Sequence, residues 1–494
     1  MKKLTLLSLC LFANFWLYAQ TDEDALRYSQ LTPVGTARYS AVGGAFGALG
    51  ADVSAISTNP AGVALFRMNE FTFTPGLSFI SSKSEFLKNE NQARKYNFNI
   101  SNFGFVWVKL SNAKDARWKS TNFSFGANRM ANYHNDIYYK GVNTSNSLMN
   151  NYLGYLGNGS VSPTSISDTY PFDISLAYDT KLITYSTASH TYKSVLTNAG
   201  LEQAKTQITR GGISEYYFAF GGNYDDKLFI GGSVNMPFLR YVSQSTFSER
   251  DRNDSILDFI KYDFTNNVRT TGVGINIKAG LIYKPNDNFR LGASIHSPTF
   301  YSMTDRYSAS MNSTFVSGTY EKSSPDGNFS YSLITPWRVV GSAALLFNKY
   351  GFLSADYEFV DYSSAYFNFN SGSTSDKEFE NTQNNLITSK YTASGNLRIG
   401  AEAVLDIFRV RAGYAMYNSP FKSNMGVAGY NNTYNNISAG FGFREDDFYL
   451  DFAFIHSIFK SYDQPYSLPA GQEVPGAKIN TGLNHFLITV GFKY

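Results

Sequence analysis

Cysteine is almost missing from this chain: Cys10 is the only one in 494 residues. It lies in a leader that reads as a secretory signal peptide over residues 1–19. Met1-Lys2-Lys3 is followed by an apolar run from Leu4 to Tyr18 and by the small residue Ala19. Cleavage there leaves a mature chain from Gln20 without a thiol, which excludes disulfides and cysteine-based metal sites or catalysis. Charge is scarce too. Charged residues are 16% of the chain, 42 basic against 39 acidic for a net +3, with no block of one sign, so no nucleic-acid partner is expected. Beyond the leader no stretch of 18 apolar residues occurs, and the leader's own run is about fifteen, which argues against membrane-spanning helices. The five histidines, His134, His190, His296, His456 and His485, are not at metal-ligand spacing, and no cofactor or metal is expected.

Aromatic residues and glycine are abundant: 41 Phe, 36 Tyr and 40 Gly. The last nine residues, FLITVGFKY, alternate with period two. Phe486, Ile488, Val490, Phe492 and Tyr494 share one face; His485, Leu487, Thr489, Gly491 and Lys493 share the other. One apolar face and one mostly polar face suit a strand between lipid and a wet lumen, the condition of a transmembrane β-barrel. The same alternation runs from Gly272 to Tyr283, turns at Pro285-Asn286-Asp287-Asn288 and resumes from Phe289 to His296, predicting a hairpin.

Similar short connections are predicted at Asn112–Arg117, Asn223–Lys227, Asn348–Tyr350, Leu405–Ile407 and Glu445–Asp447. Six short turns alternating with seven longer loops connect fourteen antiparallel strands, from Glu70–Ile80 to Thr481–Tyr494. The fold class expected is an all-β membrane barrel over residues 69–494. Its largest loop is predicted over 131–212, with a strand-like piece at Phe172–Tyr178 and a partly helical one at Lys193–Thr209.

Residues 21–67 break the pattern. Gly43, Gly44, Gly47 and Gly50 cluster around Phe46, followed by Ala51–Ser57 and by Asn59-Pro60-Ala61. Glycine lets backbones approach closely in a confined space, and Pro60 biases Asn59 away from helical geometry, so residues 20–68 are expected to form a compact plug. The glycines lack the Gly-x-Gly spacing of a nucleotide fingerprint.

The stretch GTARYSAVGGAFGALGADVSAISTNPAGVALF, with its Asn59-Pro60-Ala61 triplet, resembles the amino-terminal hatch of the FadL/TodX family of outer-membrane transporters of long-chain fatty acids and other hydrophobic compounds. The Tyr283-Lys284-Pro285 turn with its following RLGASIHSPT, and Thr335-Pro336 opening a strand, carry the same resemblance. It implies a monomeric barrel in the outer membrane of a Gram-negative-type envelope. It implies passive transport of a hydrophobic molecule, with surrounding lipids as the other partner, and a hatch that gates release through a lateral opening. The gating residues it marks are Asn59, Pro60 and Ala61, together with Gly43, Gly44 and Phe46. Some similar proteins are labelled hemin receptors, which keeps a heme-binding receptor open; a surface adhesin or secretion-machine subunit is a further alternative.

Strand phase points Lys278, Arg290, Arg338, Arg398, Arg409 and Arg411 inward, along with Asp356, Glu358, Glu402 and Asp451. Mixed signs on neighbouring strands form ion pairs that fill the lumen and hold the plug, while any of the six cations could meet a ligand head group. Arg290 and Arg409 follow short turns and are the expected hatch anchors. His134 and His190, in the predicted outer segment, are the candidate heme ligands. His296-Ser297 and His456-Ser457 fall on opposite strand faces and form no local dyad, so no enzymatic activity is expected.

Overall fold

The computed structural model describes residues 20–494 except 114, 158–160, 197–199, 424, 426, 428 and 469–471. The predicted signal peptide, with Cys10, lies outside the described residues. The rest forms a closed antiparallel barrel of fourteen strands. They are β1 (Glu70–Phe86), β2 (Asn89–Leu110), β3 (Trp118–Asn132, continued by Asn135–Asn143), β4 (Leu201–Tyr224), β5 (Leu228–Arg250), β6 (Phe259–Asn286) and β7 (Phe289–His296 continued by Phe300–Phe315). The second half comprises β8 (Gly327–Ile334 continued by Arg338–Leu346), β9 (Gly351–Asp361), β10 (Ala393–Leu405), β11 (Phe408–Tyr417), β12 (Tyr434–Arg444), β13 (Phe448–Asp463) and β14 (Ala477–Lys493). β14 pairs back onto β1 from Lys493↔Glu70 to Lys478↔Glu85, which closes the wall.

All six predicted short turns lie at one end, the periplasmic end by the barrel rule. Asn286 shows how composition sets them: its Oδ1 accepts from the N–H groups of Asn288 and Phe289, closing the β6–β7 turn. The terminal strand keeps its predicted phase. Phe486, Ile488 and Phe492 face outward while His485, Leu487 and Thr489 are buried. Outward Phe and Ile residues ring the wall in the same way, forming an apolar band that meets lipid. No described helix is long and apolar enough to cross a membrane.

The outer end departs from expectation in three places. The β1–β2 connection is a two-residue turn, Leu87-Lys88, both with positive φ, because the polar residues read as loop extend the two strands instead. The described residues of the range 193–209 are not helical. From Leu201 onward it is strand, paired on one side with Asn135–Asn143 and on the other with β5, and two ladders outweigh local helix propensity. Phe172–Tyr178 is not a strand either. Asp173 accepts from the Ile174 N–H and starts the helix Ile174–Asp179, whose Ile174, Leu176 and Ala177 are buried.

The excursion between strands is therefore 144–200, shorter than the predicted 131–212. It has a core of its own. Met149, Tyr152, Leu156, Ile174 and Leu182 pack against the outward extensions of β5, β6 and β7 through Phe247, Tyr262 and Met311.

Candidate functional site

Residues 20–66 hydrogen-bond to inward-facing groups around the circumference of the barrel. Val34 and Thr32 donate to β3 carbonyls, Asn59 reaches β6, and Arg290 of β7 and Arg338 of β8 donate back to Leu49 and Ser29. Gly47 reaches Asp356 of β9, and Ala37 reaches Thr489 of β14. A segment that meets strands on all sides lies inside the lumen. It begins with the helix Asp22–Ser29 near the outer end and finishes with the helical turns Val53–Ser57 and Pro60–Leu65.

The Asn59-Pro60-Ala61 triplet opens the second of those turns. Asn59 Oδ1 caps it by accepting from the Ala61 N–H, Pro60 occupies the first position where no N–H is needed, and Asn59 is 1% exposed. Its Nδ2 donates to Gly47 O at 2.7 Å and to Leu281 O at 3.1 Å, so one side chain ties the turn, the glycine cluster and the wall together. Gly43 and Gly44 have φ of 67° and 78°, and a Cβ on Gly43 would strike the Tyr414 backbone. Phe46 is fully buried against Tyr39 and Phe352, with the Arg38 guanidinium 5.2 Å from its ring centre. Burial raises the pKa of the Asp52 carboxyl, opposed by the Arg38 guanidinium, the Thr36 hydroxyl and the Ser54 N–H.

The predicted lumenal cations divide by role. Arg338 and Arg398 both pair with Glu358, at 2.6 and 2.8 Å. Arg411 pairs with Glu402 and Asp451, both at 2.6 Å, and Arg38 joins the same cluster through Glu402. Lys278 pairs with Glu215 and donates to Ser57 O, and Arg290 donates to Leu49 O at 2.7 Å. Arg409 does not anchor the segment: its guanidinium bonds to Asp406 O and Phe408 O of its own turn, too close to the barrel mouth to reach inward. The four that meet carboxylates, Lys278, Arg338, Arg398 and Arg411, are structural ties, because an unpaired member would bear the full desolvation cost.

Above the amino-terminal segment lies a cavity of about 470 Å³. Leu26, Tyr133, Tyr241, Tyr434 and Leu483 contribute its apolar and aromatic lining, and His134 and His485 also border it. The helix Asp22–Ser29 sends Arg27 into it, paired with Asp24 and 4.6 Å from the Tyr241 ring centre. His190, the other candidate heme ligand, is far along the chain from this lining, in the exposed turn of the hairpin Ile183–Ser186/Thr191–Ser194.

The wall beside this cavity is parted. β2 pairs with β3 only from Leu110↔Ser120 to Asn102↔Asn128; above that point β2 follows β1 alone. β3 is irregular between Arg129 and Ala131 where it runs against β4. Gly211, with φ of 112°, and Gly212 sit opposite. A Cβ on Gly211 would strike Arg240 O, and one on Gly212 would strike Ala131 O and the Arg129 guanidinium. The parting forms an outward-facing groove of about 990 Å³, lined by Phe98, Ile100, Phe125, Phe218 and Phe238. His134 borders both the groove and the lumenal cavity. On the inside, Thr32 N and Val34 N donate to Met130 O and Arg129 O at 2.9 and 2.8 Å, so the amino-terminal segment is bonded directly to the irregular part of β3.

Sequence reading did not find Arg27, His134's position at the parting, or the parting itself. The one available signal was the Gly211-Gly212 pair inside a strand, diluted among 40 glycines.

By sequence, no protein-family model and no curated protein matches this chain. By structure it is similar to a Pseudomonas aeruginosa FadL homologue, at 14% identity and TM-score 0.55 over 94% of this chain and 99% of that one. It is also similar to the P. putida toluene transporter TodX (12% identity, TM-score 0.52, 93% and 98% covered) and the Ralstonia pickettii toluene transporter TbuX (15%, 0.50, 93% and 98%). The end-to-end coverage, the closed fourteen-strand barrel and its lipid-facing band together give this chain the fold of the FadL/TodX-type outer-membrane barrels.

Proposed function

We propose that this barrel passes hydrophobic small molecules across the outer membrane without an energy source, through the lumenal cavity and out through the parting between β2 and β3. The observation that carries this reading is the apolar cavity that shares His134 with a groove opening on the lipid-facing wall. Its volume of about 470 Å³ falls in the range of about 300–1,000 Å³ typical of small-molecule pockets. Residues 20–68 act as the hatch. They form the floor under the cavity and hold the β3 carbonyls at the parting, so a shift of Thr32–Val34 acts on both.

Physical chemistry explains the need for two states. Burying about fourteen methylenes at about 0.8 kcal/mol each stabilises a bound chain by about 11 kcal/mol before entropic costs, so capture is easy and release is slow. A hatch speeds release only if the ligand binds its two positions with different affinity. We assign long-chain fatty acids as the substrate class. The resemblance around Asn59-Pro60-Ala61 and the FadL homologue's fold support this, and Arg27 offers a cation in the lining of the cavity beside its aromatic residues. A fatty carboxylate would meet that cation in competition with Asp24.

Equilibrium binding of a fluorescent long-chain fatty acid to the purified barrel in detergent tests the assignment, with unlabelled fatty acid, toluene and hemin as competitors. Saturable binding displaced by unlabelled fatty acid, and weakened in Arg27→Gln, is the expected result. Displacement by toluene but not fatty acid moves the substrate to small aromatics. Displacement by hemin alone gives the site to heme, with His134 and His485 as the first side chains to replace. No saturable binding by any probe overturns transport.

A further inference from the structure

The apolar band on the outer wall ends in an arc of arginines on adjacent strands. Arg210 of β4 stands opposite Val242 of β5, Val242 opposite Arg269 of β6, and Arg269 opposite Arg306 of β7. Arg240 of β5 lies one outward position below Val242. All four guanidinium side chains are exposed on the outer face, and none forms a salt bridge among the described residues. The outward residues one position above, Ile208, Gln244, Asn267 and Ser308, include no acid, and none of those one position below is acidic.

Two features make this arc more than a solvated rim. Arg269 and Arg306 are directly opposed across one strand pair, where like charges repel and destabilise the sheet unless an anion lies between them. The arc also follows directly along the strands from the last outward apolar pair, Phe238↔Val273, at the end remote from the short turns. That is the level of the outer-leaflet head groups. The opposite wall differs where its own outward aromatic residues end. Above Phe454 and Phe486 come His456 and Asn484, which are satisfied by bonding to each other at 2.7 Å.

We propose that Arg210, Arg240, Arg269 and Arg306 form a binding site for the phosphate groups of a phosphorylated lipid in the outer leaflet. Phosphate suits these side chains because a guanidinium fork donates two hydrogen bonds to one phosphate, and a multiply charged head group can bridge opposed arginines. A fatty carboxylate leaving through the parting is a poorer match: it would meet Arg210 and Arg240, which line the groove, but not Arg269 and Arg306, which do not, while a lipid annulus touches every strand of the arc.

The test is native mass spectrometry of the detergent-purified barrel, titrated with a diphosphorylated, multiply acylated glycolipid and separately with its dephosphorylated counterpart. The full-length protein is compared with the triple variant Arg210→Gln/Arg269→Gln/Arg306→Gln, with the single variant Arg269→Gln, and with Lys460→Gln on the opposite wall. The expected result is preferential retention of the phosphorylated lipid, weakened about 5-fold by Arg269→Gln and by more than about 30-fold in the triple variant, from the usual strength of one basic residue at a charged membrane surface. Lys460→Gln leaves retention unchanged. Equal retention of the two lipids, unchanged retention in both arginine variants, or full displacement by inorganic phosphate overturns the proposal. Exposed positions are chosen, and heat-modifiable gel mobility verifies that each variant is folded.

Discussion

The walls on the two sides of the lumen are built on different terms. From β9 to β13 the ladder is unbroken, and the inner face is tied by Arg398–Glu358, Arg38–Glu402, Arg411–Glu402 and Arg411–Asp451. Between β2 and β3 the ladder stops at Asn102↔Asn128, and beside that break the inner segment is held to β3 by neutral backbone bonds from Thr32 and Val34, the ion pair Glu215–Lys278 joining β4 to β6 instead. Buried ion pairs are costly to separate, whereas a neutral hydrogen bond has a net worth of about 1 kcal/mol. The difference places rigidity on one side of the barrel and the capacity to move on the other.

The largest effect is expected from breaking the rigid side. Arg411→Met leaves Glu402 and Asp451, both buried, short of a partner, and should lower stability by about 3–5 kcal/mol. Arg409→Gln, two residues away and bonded only to its own turn, should change stability by less than about 0.5 kcal/mol. Thermal unfolding followed by heat-modifiable gel mobility separates the two; equal shifts would remove the distinction between the walls.

Sealing the mobile side comes next. Gly211→Val forces a side chain against Arg240 O, at a φ that disfavours branched residues, and should distort the parting. Fatty-acid binding to the detergent-solubilised barrel should persist while transfer into lipid vesicles is lost. Loss of both together would mean that cavity and groove are not separable steps.

Loosening the joint between the two sides is a smaller change. Asn59→Ala removes the cap of Pro60–Leu65 and leaves Gly47 O and Leu281 O without that donor, at a cost of about 1–3 kcal/mol. Single-channel recording in planar bilayers should show brief openings that the parent barrel lacks. A silent variant would mean that the remaining ties hold the segment by themselves.

The smallest effect concerns the outer excursion, which neither wall constrains. Burial pushes the Asp173 carboxyl up to about 6 from an ordinary value of 3.8. A raised folded-state pKa favours the protonated form, so this contribution is fully present below about pH 4 and is lost as pH rises through about 6. Limited proteolysis within residues 144–200 should be faster at pH 7.5 than at about pH 5, and Asp173→Asn should flatten that dependence. An unchanged profile in the variant would assign it to another group.

Strand number, turn positions and facing were legible because a membrane barrel imposes period two on each strand and compact polar turns on one end. Fourteen strands, six turns and the orientation of Phe486–Phe492 follow from that. The outer end was not legible in the same way. Leu201–Thr209 carries a local pattern compatible with a helix, and only its partners on both sides make it strand. Phe172–Tyr178 alternates like a strand, and only packing against β5 to β7 selects the helix.

Within the lumen, phase pointed correctly to Lys278, Arg290, Arg338, Arg398 and Arg411, since facing is local. It erred for Arg409, because reach depends on height along the barrel as well as on face. Which acid each arginine meets, and that Asn59 bonds to Gly47 and Leu281 together, required the register between distant strands. The sequence by itself determined a lipid-facing barrel with a non-barrel amino-terminal segment, because periodicity and composition act residue by residue. Only the tertiary structure decided where β2 leaves β3, that His134 stands between cavity and groove, and that four arginines on successive strands come side by side, because each depends on how far one strand slides against the next.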